Sequence, residues 1–353
     1  MAKVLVYGAG PLGCLFAAKL KENGHDVSIL ARGQRLADIR QNGIILFDVM
    51  TSKQTVTLID AVESLLPEDR YDLILVIMRK NKALEILPIL AANQNSRTIL
   101  FLLNNAAGPD AWVAALGKDR VLSGFPGSAG FREGPVVHCL TGTKKEPAKV
   151  YFGTADGRKS ATTTEIGNII NSVPEFKAVF RRDMDTWLKY HVALLFPSIA
   201  PALHAAEIDI KRLARTRDLV VLAVRAIREG FSVLKAKGLP VTPGKFKLIL
   251  WLPEPILVHY LQKLLNHPLM ETALAKHARA AHDESLHLTG EFLDLARTTD
   301  VPVPTIEHLQ KFYEPDSQPV ADGSRAIPLH WGGLLAWGIG LLTVIALIII
   351  LIG

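Results

Sequence analysis

The chain has 353 residues and carries 40 Lys and Arg against 34 Asp and Glu, a formal net charge of +6. That length suggests about two domains, while scattered basic residues and aromatics at only 7% exclude the basic stripe with a stacking platform that nucleic-acid binding needs. Two cysteines, Cys14 and Cys139, without metal-ligand or CxxC spacing, exclude a disulfide scaffold and fit a reducing compartment. The positive balance suits an anionic cofactor, an anionic substrate and a lipid surface.

Residues 4–7 read as a buried strand running directly into Gly8, Ala9, Gly10, Pro11, Leu12 and Gly13, and an amphipathic helix follows over 14–23. This is G-x-G-x-x-G in the strand-to-helix setting that dinucleotide binding requires. Gly8 allows the tight turn, Gly10 lets a pyrophosphate approach the backbone, Gly13 permits close helix packing, and the free N–H groups of the helix start face the phosphates. A second strand over 25–31 ends at Arg32. An NAD site usually places an acidic residue there for the ribose 2′-hydroxyl, so an arginine points to the 2′-phosphate of NADP(H).

Short apolar runs at 43–47, 55–59, 73–78, 98–103 and 121–124 alternate with helical stretches, which predicts a mainly parallel sheet in a doubly wound, Rossmann-type α/β domain over 1–183. The strand at 73–78 ends in Arg79, Lys80, Asn81 and Lys82, and that at 98–103 ends in Asn104 and Asn105. Loops beyond the carboxyl ends of such strands are expected to border the cofactor. Runs at 136–140, 149–153 and 176–180 read as further strands, the first two antiparallel. From residue 185 the periodicity becomes helical, over 186–195, 211–237, 256–265, 269–281 and 282–298, giving an all-α domain over 184–313. Pro- and Gly-containing stretches between 314 and 329 predict a flexible linker.

Residues 331–353 contain no charged side chain. Their length suits one transmembrane helix, so 330–353 is expected to be a membrane tail anchor contacting lipid. Trp331 and Trp337 lie at its upstream end, Gly332, Ala336 and Gly340 form a row of small residues, and Lys311 and Arg325 precede it. This arrangement predicts cytoplasmic placement of the preceding domains. Oligomeric state stays open, a homodimer among the alternatives.

The glycine turn, Asn105 past the 98–103 strand, the run Trp187, Leu188 and Lys189, and Asp283 and Glu284 leading to Gly290, Glu291, Phe292 and Leu293 resemble the marks of the ketopantoate reductase (2-dehydropantoate 2-reductase) family over roughly residues 2–313. The resemblance implies a Rossmann domain and a helical domain, with NADPH and a small 2-keto acid in the cleft between them. It gives Lys189 the role of general acid for the alcohol oxygen formed by hydride transfer. It places Asn105 and Glu284 at both cofactor and substrate, Thr272 at the substrate carboxylate, Arg79 near the 2′-phosphate, and Gly130 at a backbone contact to the cofactor.

Ala193 and Pro197 depart from the pattern, for the family places asparagines there, four and eight residues past the lysine. An unpaired buried polar group costs about 1–3 kcal/mol, so a site without those amides should bind ketopantoate less well or bind something more apolar. The expected function is NADPH-dependent reduction of a 2-keto acid or related carbonyl compound. The alternative is a non-catalytic, membrane-tethered NADP(H)-binding sensor or scaffold.

Overall fold

The computed structural model describes residues 1–331 and Gly338. The chain divides into two compact units, the first built from Met1–Val192 with Lys276–Glu291, the second from Ala193–Ala275 with the residues from Phe292 onward. The first division therefore falls at 192/193 rather than the expected 183/184, and Lys276–Glu291 returns to the first unit.

The first unit holds an eight-stranded sheet in the order β12-β11-β8-β7-β6-β1-β2-β5. Its strands are β1 (Lys3–Tyr7), β2 (Asp26–Leu30), β5 (Asp60–Val62), β6 (Leu73–Val76), β7 (Thr98–Leu102), β8 (Val121–Phe125), β11 (Ala148–Thr154) and β12 (Phe176–Phe180). All neighbours are parallel except β8 and β11. Side chains alternate across the sheet, as strand geometry requires. Val4, Val6, Leu73, Leu75, Leu100 and Leu102 enter one apolar cluster, and Leu5, Tyr7, Ile74, Val76, Ile99 and Phe101 the other. Helices α1 (Pro11–Glu22), α2 (Gly33–Asn42), α3 (Lys80–Ala83), α4 (Leu87–Ala92), α5 (Asp110–Leu116), α6 (Ala161–Asn171) and α7 (Met184–Leu194) connect or follow these strands.

A second, four-stranded sheet has the order β4-β3-β10-β9, from β3 (Ile44–Asp48), β4 (Lys53–Thr57), β9 (Ala129–Glu133) and β10 (Val136–Leu140). The runs near 43–47 and 55–59 thus leave the parallel sheet. Asp48 Oδ1 accepts from Met50 N at 2.8 Å and closes a tight antiparallel hairpin, a connection too short for parallel neighbours. Strand β10 pairs with β3 and β9 rather than with β11.

In the second unit, helix α10 (Arg217–Ala236) buries Leu219, Val220, Ala223, Ile227 and Phe231. Packed on it are α8 (Ala200–Ala205), α9 (Ile210–Arg215), α12 (Glu254–Leu265) and α15 (Pro304–Gln310), while α11 (Lys247–Trp251) precedes α12. Helix α13 (Lys276–Ala280) belongs to the first unit, and α14 (His282–Arg297) runs from the first unit into the second. Two expected continuous helices are broken. Thr216 separates α9 from α10, and π-helical turns occupy Leu195–Ile199 and Glu271–Ala275.

The stretch expected to be a flexible linker is bound to the helices. Asp218 accepts from Ser324 Oγ, Ala326 N and Ile327 N at 2.5, 2.8 and 2.9 Å. Arg225 donates to Pro328 O at 2.8 Å, and His330 N donates to Glu254 Oε1 at 2.9 Å. Satisfied backbone groups, not Pro and Gly content, decide the conformation here. Among the described residues no helix is long and apolar enough to cross a membrane. The expected tail anchor lies, beyond Trp331, outside the described residues apart from Gly338.

Candidate functional site

The turn between β1 and α1 is shaped by what a side chain would strike. Gly8 has φ +118° and a Cβ there would lie 2.4 Å from Ile77 O, while a Cβ on Gly13 would lie 1.9 Å from Gly8 O. Gly8 is thus forced by strand packing and Gly13 by helix-to-turn packing. Gly10 is different, since a Cβ there meets nothing within 4 Å. Its open face leaves a cradle at the start of α1, where Gly10 is the N-cap, Pro11 occupies the first turn and no acidic side chain stands. With Ala9 and Leu12 completing the turn, unshared N–H groups and the positive end of the helix dipole meet there, which fits the pyrophosphate of a dinucleotide.

Gly130 on β9 closes one side, for its Cβ position lies 3.4 Å from Pro11 Cβ. Arg32 follows β2 as the exposed N-cap of α2 and donates to the Tyr7 hydroxyl at 3.2 Å. Arg35, which the sequence reading missed, donates to Ala9 O at 3.4 Å and to Cys14 Sγ at 3.1 Å. A cleft of about 380 Å³ between α2 and the β9–β10 turn carries Arg35 and Arg132, but none of the residues expected from sequence.

Beyond β6, Arg79 is engaged with α13 and α14. Its guanidinium pairs with Asp283 at 2.7 Å and also donates to Ala280 O, and Asn81 donates to the same carboxylate at 2.9 Å. The neighbouring Lys80 is almost wholly buried. Its ammonium meets Glu291 at 3.1 Å and lies 5.1 Å from the centre of the Trp112 ring. Glu291 also accepts from Ala106 N and Ala107 N, each at 3.3 Å, so one carboxylate joins the loops that follow β6 and β7. Asn81 Oδ1 and Asn104 Oδ1, both buried, have no hydrogen-bond partner among the described residues, leaving acceptors for a ligand hydroxyl or water.

Glu284 opens α14 and is buried rather than a surface charge, accepting from Lys80 N at 3.1 Å. Burial pushes its carboxyl up to about 7, against the smaller lowering effects of the Lys80 N–H and Arg79. Asn105 is equally buried. It donates to Gly108 O at 2.8 Å and accepts from Gly108 N at 3.1 Å, which fixes the loop after β7. A Cβ on Gly108, whose φ is +92°, would fall 3.2 Å from Lys189 Nζ and 3.3 Å from Asp185 Oδ1.

Lys189, Asp185, Asn105 and Gly108 are therefore assembled at the carboxyl end of β7. Lys189 is buried, and its ammonium lies against both Asp185 oxygens, 2.5 Å from Oδ2. Trp187 packs against Phe125 and Tyr151, and His191 stacks on Trp187 with centroids 5.2 Å apart. Loss of hydration lowers the His191 pKa to about 4.

Thr272, Ala193 and Pro197 belong to the second unit. Thr272 lies in the Glu271–Ala275 turn. Ala193 is buried, with its Cβ 3.2 Å from the Cβ position of Gly230. Pro197 sits in the Leu195–Ile199 turn, where Ser198 Oγ donates to Leu194 O at 2.6 Å. The sequence gives Asp185 no role, and names Lys80 and Glu291 only within motifs, without a role of their own. The i, i+4 spacing of Asp185 and Lys189 was a usable signal for the first.

Residues 4–157 match the family described as Ketopantoate reductase PanE/ApbA. A 2-dehydropantoate 2-reductase of Pyrococcus abyssi (strain GE5 / Orsay) is 21% identical over 237 residues, covering 67% of this chain and 75% of that protein. Among solved structures, 2-dehydropantoate 2-reductase from Geobacter metallireducens GS-15 superposes with a TM-score of 0.72 at 16% identity, covering 89% of this chain and 100% of the other. The ternary structure of D-mandelate dehydrogenase with NADH and anilino(oxo)acetate gives a TM-score of 0.70 at 15% identity, covering 88% and 96%. Together these likenesses show the fold of a Rossmann-like α/β unit with a helical second unit, and the family model matches within the first unit.

Proposed function

We propose that this chain is a nicotinamide-dependent oxidoreductase of the ketopantoate reductase family that reduces the carbonyl of a 2-keto acid or related compound, with NADPH as hydride donor and Lys189 as proton donor. The observation that carries the reading is the buried Lys189 ammonium, held by Asp185 at the Asn105–Gly108 turn. The bound dinucleotide supplies the hydride. As the carbonyl carbon receives it, the C=O π pair moves onto oxygen, and Lys189 Nζ gives that oxygen a proton, forming O–H. Lys189 then regains a proton from water beside the Asp185 carboxylate.

His191 is no rival for the role, because burial lowers its pKa to about 4 and the neutral ring left at pH 7 is a far weaker acid than an imidazolium. Glu284, with its carboxyl near 7, suits exchange of a hydrogen bond with a substrate hydroxyl or ribose. Asn105 and Thr272 are assigned to substrate binding. Gly8 to Gly13, Gly130, Arg32 and Arg79 are assigned to the cofactor, with the two arginines at its 2′-phosphate. The charge-free 331–353 stretch is proposed as a tail anchor that holds the protein on the cytoplasmic face of a membrane.

A second reading, a non-catalytic NADP(H) sensor or scaffold, is favoured by the apolar Ala193 and Pro197 where the family pattern has amides. NADPH oxidation across a panel of 2-keto acids, for the wild type and Lys189→Ala, separates the two. Turnover by the wild type well above the variant is expected; equal background rates with intact NADPH binding would establish the second reading.

A further inference from the structure

The second unit carries an apolar face beside the exit of its charge-free tail. On α12, Leu257, Val258, Leu261 and Leu265 are buried, yet Ile256, Tyr260 and Leu264 are exposed at four-residue intervals, Tyr260 by 64%. Residues 3.6 to a turn place those three in one stripe that borders the buried face of the helix. Trp251 and Leu248 on α11 extend the exposed apolar surface.

The charge around this stripe is one-sided. Between residues 244 and 267 the basic side chains Lys245, Lys247 and Lys263 are exposed, while the single acidic residue, Glu254, is buried against Arg225 at 2.9 Å. Apolar side chains, a Trp and a Tyr among exposed lysines are what a surface needs to settle into the headgroup region of an anionic bilayer.

The path of the chain adds an independent observation. Hydrogen bonds from residues 324–330 to Asp218, Arg225 and Glu254 strap the approach to the tail along the helices, and the last of them fixes His330 N at Glu254. Glu254 is the first residue of α12, two positions before Ile256. The last residues before the tail therefore meet the first turn of the very helix that carries the stripe.

We propose that the α11–α12 face is a membrane-docking surface, on which Ile256, Tyr260 and Leu264 enter the interfacial layer of an anionic bilayer while the tail inserts beside them. The inference rests on the tail-anchor reading. Docking on one face would fix the orientation of the helical unit at the membrane and offer it to substrates of low water solubility.

The test uses the full chain incubated with vesicles of phosphatidylcholine and phosphatidylserine, with an environment-sensitive fluorophore on Tyr260→Cys or, as a second site, Leu264→Cys. The natural thiols Cys14 and Cys139 are buried and do not compete for label. The control label is on Lys237→Cys, twelve residues past Arg225 on the α10 axis and so about 18 Å from the Glu254 contact. Flotation reports the anchor, and quenching by nitroxide-bearing lipid reports the face. Expected are flotation, loss of most emission at 260 and 264, and retention at 237. Flotation with 260 and 264 quenched no more than 237 would overturn the docking face while leaving the anchor intact. A blue-shifted but unquenched label would give the face to a second copy or to the tail itself and also overturn it. Failure to float would remove the anchor and the docking surface together.

Discussion

The Lys189 ammonium rests on the Asp185 carboxylate one helical turn upstream, 2.5 Å from Oδ2, with the lysine side chain 9% and the aspartate 35% exposed. A long, flexible lysine is thereby aimed at the Gly108 turn instead of sampling solvent. Lys189→Ala should lower kcat by about 10²- to 10⁴-fold, the usual contribution of a general acid. In the proposed reaction Asp185 would act through Lys189, as a positioning residue. Asp185→Asn should lower kcat by about tenfold or more with little change in NADPH affinity, since misplacing a reacting group by an ångström costs up to about 10². Asp185→Glu should recover part of the loss. Steady-state kinetics and NADPH titration of the three variants check this, and an unchanged kcat in Asp185→Asn would remove Asp185 from the site.

Glu284 predicts a pH dependence of stability. Its carboxyl is raised from 4.5 to about 7 in the folded protein, first by burial. The folded state therefore holds a proton that the unfolded state releases, and the stabilisation is fully present below about pH 4.5 and lost as pH rises through about 7. A shift of that size corresponds to about 3 kcal/mol. Glu284→Gln keeps the neutral shape without the titration. Its urea midpoint relative to wild type should climb between about pH 5 and pH 8, and a difference independent of pH would contradict the raised carboxyl.

The nucleotide turn and the site fragments were legible from the chain to different depths. The strand pattern of β1 and the spacing of Gly8, Gly10 and Gly13 locate the turn because one local rule governs both. The membership of β3 and β10 in a separate sheet was not legible, since alternation specifies a buried face but not which partner covers it. Lys80 illustrates the other limit. In the run from Arg79 to Lys82 it reads as one more solvated charge, yet Glu291 and Trp112 enclose it. The segment responsible arrives more than two hundred residues later, as the separation of 204 between Lys80 and Glu284 shows. In the sequence Lys189 stands out only through its place in a family pattern; its burial against Asp185 is tertiary information.

Arg32 and Arg79 make the same prediction about cofactor choice through substitutions of opposite effect. Arg32 is exposed and its guanidinium donates to the Tyr7 hydroxyl. Hydrogen bonds to charged groups contribute about 1.5–3 kcal/mol, so Arg32→Ala should weaken NADPH about 10- to 100-fold and NADH little. Arg79 is instead paired with Asp283. Asp283→Asn removes that competing carboxylate and should tighten NADPH without tightening NADH. Binding titrations of both nucleotides decide this, and equal wild-type affinities for the two would refute the assignment of Arg32 to a 2′-phosphate.

Gly10 and Gly13 separate binding from folding within one turn. A methyl group on Gly13 would lie 1.9 Å from Gly8 O, a contact that backbone can relieve only by moving α1 off the sheet. Overpacking of this kind costs about 1–3 kcal/mol or more, so Gly13→Ala should lower the urea midpoint and the nucleotide affinity together. At Gly10 the added methyl meets nothing within 4 Å, and its backbone, at φ −71° and ψ 179°, is extended and open to any residue. Gly10→Ala should therefore leave the midpoint almost unchanged. The same methyl would occupy the face where a pyrophosphate approaches the start of α1, and should weaken NADPH by about tenfold or more. Wild-type affinity in Gly10→Ala would mean that nothing closes on that face, and the dinucleotide would have to lie elsewhere on the unit.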